Sequence, residues 1–323
     1  MKIKVKILVT CIGGRLVLDM IKAIRDSNDY IPFIIGVDTN SNAKGRLLCD
    51  KFFVVPDSER NKNKWIAKIL EIHENVGFDL LLTLSEGECL IVSQNKKMFL
   101  KRKIKTSVGD KKFLEIISDK YKLMEFLKRK KIHTGTFFSV NNKNQVFETI
   151  KKLGYPERRV VLKPRLGRGS RGVLICDKNK AKFKYLLKDR FCGTGNFESI
   201  NNELIKKKLN FSNYLALPFY SKTIRDIDCL SKKGQILDIV IRKRQLKNPL
   251  TPSSTGHMIE MNSKIIEYIS LICLVFKING PCDFDVVFDD NDEPILLDAG
   301  SRFSGSVGCS YVAGKNMLAQ LIR

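Results

Sequence analysis

Apolar residues alternate with lysine over 3–9 (IKVKILV) and then run unbroken, the pattern of a strand entering a buried sheet. Gly13-Gly14 turns the chain into the helical period of Leu16, Val17, Met20, Ile21 and Ile24. A second apolar strand, 31–37, ends at Asp38, so the segment reads as a βαβ unit and predicts a parallel sheet. FDLLLTL (78–84) predicts a further buried strand, followed by Ser85-Glu86-Gly87-Glu88, a helix start with acids at its positive end. From about 106 the pattern changes to a basic helix (119–131), a strand, a helix (144–153) and two strands flanking a glycine-rich segment, together a small mixed lid. Residues 193–323 then carry a helix (about 199–208), antiparallel strands (214–219, 224–231, 236–244), a Pro/Ser/Thr loop (248–256), the apolar helix 264–277 and an acidic hairpin. The chain thus divides into 1–105, 106–192 and 193–323, an α/β part followed by α+β parts, with no internal repeat.

The glycine-rich segment is VLKPRLGRGSRGV (161–173). A strand delivers Lys163 and runs into a loop with Gly167, Gly169 and Gly172, where successive backbone N–H groups can converge on an anion. Arg165, Arg168 and Arg171 add positive charge, so the loop reads as a phosphate site, against the plainer reading of a basic hairpin turn. Near the other end of the chain, Val286 to Phe288 and Ile295 to Leu297 are apolar runs around the polar turn 289–293, a hairpin pattern. If residue 287 pairs with 296, Asp285 faces Asp298, and two carboxylates side by side repel unless a cation lies between them. Such hard oxygens suit Mg²⁺ bridging phosphates. A solvated surface hairpin accounts for Asp289, Asp290, Asp292 and Glu293, whereas Asp285 and Asp298 are set among Val, Phe, Leu and Ile. Arg302 follows in a Gly-Ser-rich turn that leaves its guanidinium free for an oxyanion.

Composition narrows the partners. The formal charge of +24 invites a nucleic-acid reading, but the lysines are spread over helix faces with few interleaved aromatics, so nucleic-acid binding is not expected. The N-terminal charges precede an apolar run too short for a signal peptide, and no stretch approaches a membrane span. Nine cysteines lie singly, without a Cys-x-x-Cys pair, which predicts reduced thiols and a cytoplasmic protein. A Rossmann dehydrogenase with Asp38 on a ribose competes for the first part, but the turn at 11–15 lacks the G-x-G-x-x-G spacing. His257 and Cys309 stand near the acidic part without a sequence partner that marks a base or nucleophile, and His73 and His133 carry no such signal. The loop 247–257 has the composition of a substrate-gating segment or of a plain connector.

In this order the features resemble the ATP-grasp superfamily, in its carbamoyl-phosphate-synthetase-like and biotin-carboxylase-like branch. ILVTCIGGR (7–15), IIGVDTN (34–40) and CDKFFVVP (49–56) look like its first domain, and SDKYKLMEFLKRKKIHTGTFF (118–138) is similar to its "DK…L…GI…P.T" passage. VLKPRLGRGSRGV looks like its phosphate-grasping loop and LDAGSRFSGS (297–306) like its "E-I-N-P-R-x-S-G-S" signature. The resemblance implies an ATP-grasp fold with ATP between the last two parts. It places Lys120, Lys163, Gly167, Arg168, Gly169, Ser170 and Gly172 on the phosphates, and Leu217 and Phe219 in the adenine hinge LALPF (215–219). Asp285 and Asp298 would hold Mg²⁺ (or Mn²⁺), Arg244, with Arg242, would lie on a basic strand facing the phosphates, and Arg302 would steady an acyl phosphate.

The implied activity is an ADP-forming ligase for small carboxylate and amine (or thiol) substrates, with a homodimer permitted. Two departures stand out: Asp298 and Gly300 replace the family's glutamate and asparagine, and the hinge lacks a glutamate near Pro218. They motivate the alternative of a nucleotide-binding sensor or partner subunit without turnover, and Asp283 is the residue placed to compensate. The chain ends 21 residues after Arg302, which leaves room for a further C-terminal portion.

Overall fold

In the computed structural model, residues 2–14, 17–167, 169–187, 190–245 and 256–323 are described. Leu16, Arg168 and most of the gating-loop candidate, 247–255, lie outside the described residues.

The first layer is a parallel sheet of β1 (Ile3–Val9), β2 (Tyr30–Asp38), β3 (Lys51–Val54), β4 (Leu80–Leu82) and β5 (Lys105–Thr106), in the order β3-β2-β1-β4-β5. Helices α1 (Val17–Arg25), α2 (Lys62–Val76), α3 (Glu86–Gln94) and α4 (Lys96–Lys101) accompany it. Ile7, Leu8 and Val9 are fully buried, as an apolar run with helices on both faces of its sheet requires. The chain moves outward from β1 to β3 and resumes at β4 on the other side of β1. The carboxyl ends of β1 and β4 therefore mark the reversal of order at which α/β sheets open a crevice. There α3 begins: Ser85 is its N-cap, accepting from the Glu88 amide, and Glu86 and Glu88 lie in the first turn. Asp38 is occupied in accepting from the Gly13 amide at 2.7 Å.

Helices α5 (Lys111–Ile117) and α6 (Lys120–Arg129) lead to a mixed sheet of β6 (Phe138–Val140), β7 (Val160–Pro164), β8 (Leu174–Cys176), β9 (Lys184–Tyr185), β10 (Gly193–Gly195) and β11 (Tyr214–Pro218), ordered β6-β11-β7-β8-β10-β9. Helices α7 (Lys143–Lys152) and α8 (Phe197–Lys206) pack Val146, Ile150, Ile200 and Leu204 against Val160, Leu162 and Ala216. The sequence division at 192/193 cuts through this sheet, because β10 pairs with β8 and β11 lies antiparallel to β7, opposing Leu215 to Lys163.

The third sheet is antiparallel: β12 (Arg225–Lys232), β13 (Gln235–Arg244), β14 (His257–Glu260), β15 (Gly280–Phe288) and β16 (Pro294–Gly300), ordered β14-β13-β12-β15-β16. Helix α9 (Ser263–Phe276) buries Ile265, Ile269 and Ile272 in the core that joins this sheet to the first, and α10 (Val307–Val312) and α11 (Met317–Ile322) close the chain. The hairpin register departs from expectation. Val287 pairs with Ile295 rather than with residue 296, and a bulge at Leu297 restores the pairing of Asp285 with Asp298.

Beneath this sheet Arg242 is fully buried. It pairs with Asp228 at 3.0 Å, donates to Ser304 Oγ at 2.9 Å and to the Ser306 carbonyl at 3.1 Å. Arg242 thus braces the turn after Arg302 and does not line the cavity that holds Lys163 and Asp298, where the resemblance set it on a strand facing phosphates. Removing one partner of a buried pair leaves the other charge uncompensated, so Arg242→Ala is expected to lower the unfolding free energy by about 3–5 kcal/mol in urea titration.

Candidate active site

Two regions far apart in sequence converge here. Lys163, on β7 and 7% exposed, donates to the Leu297 carbonyl on β16 at 2.7 Å. A regular ladder would turn that carbonyl to its cross-strand partner, and the bulge offers it to the lysine instead. Lys120 heads α6 and donates to the Gly167 carbonyl at 2.8 Å while lying 3.3 Å from Asp298. It therefore joins the glycine loop to the acidic hairpin.

Around this junction lies a cavity of about 710 Å³. Val161, Ile175, Leu217, Pro218 and Phe219 make an apolar end, and Lys120, Lys163, Gly167, Gly169 and Ser170 lie along it. Asp285, Asp298 and Arg244 line the wall, and Glu86, Asp283, Gly300 and Arg302 the far end. The Phe219 amide already donates to the Arg159 carbonyl at 3.1 Å, so a ring in the apolar end would meet the remaining backbone groups and the side chains. A second, more open cavity of about 780 Å³ lies beside Lys222, Arg225 and Lys264. Lys222, Arg225 and Lys264 there are paired with Asp292, Glu260 and Glu293, and the cavity contains none of the converging residues.

The loop uses its charges unequally. Arg165 is bound through two nitrogens to Asp119 (2.7 and 3.1 Å) and stacks on Tyr121, so it fixes the loop base to the start of α6. Arg171 lines the cavity, and Arg190, unmarked in the sequence, donates to the Gly169 carbonyl at 2.6 Å. Gly172 has a left-handed φ of 77°, and a Cβ there would lie 2.5 Å from Pro164 Cγ, so both backbone and space exclude a side chain.

Burial pushes the Lys163 ammonium down to about 8; Asp298 opposes that shift and Lys120 adds to it. Enclosure pushes Asp285 above the usual carboxylate range while Arg244, 3.0 Å away, pulls it back. With 37% of its side chain open to the cavity, Asp285 feels less than the full effect of burial. Arg244 is also bound to Asp226, and burial, which opposes its charge, is outweighed by Asp285 and Asp226.

The Gly-Ser turn predicts a free Arg302 guanidinium, but it lies instead between Asp283 (3.0 Å) and Glu86 (2.9 Å), which together outweigh burial and hold it charged. Asp283 is pushed up to about 7 by burial; Arg302 counters this, and Glu86 and Asp285 reinforce it. Among the described residues, no group of three or more His, Cys, Asp or Glu side chains is gathered for a metal ion. The facing pair Asp285 and Asp298 remains. His257 is buried 3.2 Å from Arg242 and 3.7 Å from Asp226, a packing role. Cys309 is exposed and does not line the cavity.

Residues 210–323 match the family described as ATP-grasp in the biosynthetic pathway with Ter operon. The L-amino acid ligase from Bacillus licheniformis superposes with a TM-score of 0.66 at 14% identity, covering 100% of this chain and 74% of that one. The biotin carboxylase domain of the Hydrogenobacter thermophilus 2-oxoglutarate carboxylase, solved with MgADP, ADP and bicarbonate, gives 0.67 at 15% identity, over 98% of this chain and 68% of that one. The chain has the ATP-grasp fold. N5-carboxyaminoimidazole synthetase from Staphylococcus aureus, complexed with ADP, gives 0.64 at 14% identity over 97% of this ATP-grasp chain and 74% of its own. Among curated proteins, none matches the chain in sequence. No helix among the described residues is long and apolar enough to cross a membrane.

Proposed function

We propose that this ATP-grasp protein is an ADP-forming ligase that activates a carboxylate for attack by an amine. The observation that carries this reading is the reach of Lys163 from the glycine-loop strand to the Leu297 carbonyl beside Asp298. A triphosphate between them would meet cations on one side and carboxylates on the other. The apolar end with Leu217 and Phe219 takes the base, and Lys120, Lys163 and the loop amides of Gly167, Gly169 and Ser170 take the phosphates. Asp285 and Asp298 fit a hard cation, because two facing carboxylates are incomplete alone and Mg²⁺ completes its shell with phosphate oxygens and water. When bound there, Mg²⁺, or Mn²⁺ in its place, supplies further neutralisation of the phosphates.

A carboxylate oxygen attacks the γ-phosphorus, the bond to the β-phosphate oxygen breaks, and ADP leaves. The amine then attacks the acyl carbon, phosphate departs, and the amine proton passes to phosphate or water. Phosphoryl transfer needs positioning and charge neutralisation more than covalent help, which suits a site of lysines, arginines and acids. Arg302, which lines the same cavity, would steady the acyl phosphate. ADP release with Mg·ATP and pooled amino acids and small carboxylates tests the reading: release that depends on both pools is expected. Tight nucleotide binding with no ADP in any pool would replace it with a sensor or partner subunit, the reading that Gly300 favours. Gly172→Ala, by straining the loop, is expected to weaken binding of a non-hydrolysable ATP analogue by about tenfold in a fluorescence titration.

A further inference from the structure

Gly300 needs no unusual backbone, since its φ is outside the left-handed region, yet a Cβ there would fit only if the Asp283 carboxylate moved. A Cβ would lie 1.9 Å from Asp283 Oδ1 and 3.0 Å from its Cγ. Asp283 is the cross-strand partner of Gly300, and its carboxylate fills the volume that a residue-300 side chain would occupy. Asp283 Oδ1 is buried with no hydrogen-bond partner, whereas Oδ2 accepts from Arg302 Nη1 at 3.0 Å. Hydrogen bonding therefore holds this carboxylate through one oxygen, in its ion pair with Arg302. On the other side of the guanidinium, Glu86 accepts from Nη2 at 2.9 Å, and Nη1 also donates to the Phe303 carbonyl at 2.8 Å. Glu86 comes from the start of α3, in the crevice of the first sheet, so the guanidinium is gripped by two different layers of the protein.

We propose that Glu86 and Asp283 are positioning residues that aim Arg302 at the acyl-phosphate end of the cavity, and that residue 300 is glycine because the Asp283 carboxylate occupies its side-chain space. The inference rests on the ligase reading for the role of Arg302. Two carboxylates on one guanidinium fix its plane and direction, as bidentate pairs do, while the side chain stays 21% exposed toward the cavity.

The test uses the full chain loaded with Mg·ADP and titrated calorimetrically with phosphonoacetate, a stable carboxylate–phosphonate probe. Arg302→Gln should abolish probe binding, and Glu86→Gln and Asp283→Asn should each weaken it about tenfold, with ADP affinity unchanged as the check on folding. Gly300→Ala should weaken it similarly in the native background and add nothing in Asp283→Ala, where no carboxylate remains for the Cβ to displace. Added guanidinium ion should restore probe binding to Arg302→Ala, and fail to do so once Asp283→Asn is added. If Arg302→Gln binds the probe normally, the ligase reading of Arg302 fails. If Arg302→Gln is impaired but Glu86→Gln and Asp283→Asn match the native protein, or if Gly300→Ala and Asp283→Ala are additive, the positioning inference is overturned while the ligase reading stands.

Discussion

Lys163→Met is expected to weaken binding of an ATP analogue by about 10–150-fold, the equivalent of one charge-assisted contact of about 1.5–3 kcal/mol, and to reduce ADP release further. Methionine keeps the length and apolar stem but removes the charge and leaves the Leu297 carbonyl without its donor. The pH dependence has a definite sign. A buried ammonium brought down from the ordinary 10.5 to about 8 loses its charge as pH rises through 8, and the triphosphate is served by the charged form. Analogue affinity of the native protein should therefore decline above pH 8. Lys163→Arg, whose guanidinium stays charged, should hold its affinity to higher pH. The contribution of Lys163 to folding runs the other way: its charged form is penalised by burial below about 8, and that penalty fades as pH rises toward 10.5. Affinity of Lys163→Met within twofold of native across pH 7–9.5 would remove Lys163 from the nucleotide site.

Hydrophobic period carried the first sheet: β1, α1, β2 and β4 follow from their apolar spacing, and their parallel order follows from the intervening helices. The facing of Asp285 and Asp298 was legible too, although through a register that the Leu297 bulge corrects. Such a bulge has no side-chain signature in this hairpin; here it appears as a carbonyl turned to a lysine from another sheet. The assignment of β11 to the second sheet was not legible, because YLALP pairs as readily by composition with β12 as with β7. Arg165, Arg171 and Arg190 show the same limit for charge. Which arginine faces the cavity and which is taken by Asp119 depends on where α6 begins, a tertiary fact. In the sequence Glu86 is only a helix-start acid, and the approach of the third sheet to α3 gives it Arg302.

The residues of the site neutralise one another. Lys120 pairs with Asp298, Arg244 with Asp226 and Asp285, and Arg302 with Asp283 and Glu86. Buried charges that are paired cost far less than charges left alone, so this arrangement can persist before ligand arrives. On the proposed reading, nucleotide binding would then exchange partners rather than fill a bare cationic cleft. Its affinity should depend less steeply on salt than a net charge of +24 suggests.

Asp285→Asn and Asp298→Asn are each expected to lower Mg²⁺-dependent ADP release by about a hundredfold or more, since a catalytic divalent ion contributes several kcal/mol of charge stabilisation and 1.36 kcal/mol is a factor of ten. The two substitutions should differ in how they treat nucleotide. Asp298→Asn releases Lys120 from its ion pair, so metal-free ADP should bind as well as in the native protein or more tightly. Asp285→Asn leaves Arg244 with Asp226 and should change metal-free binding little. Mn²⁺ titration followed by electron paramagnetic resonance, in the presence of ADP, checks the first part, and calorimetry in a chelator checks the second. Each asparagine keeps one oxygen of the facing pair but halves its charge, so excess Mg²⁺ should recover part of the lost rate. Native Mn²⁺ affinity in the double variant would show that these two carboxylates, although side by side in the fold, do not hold the metal.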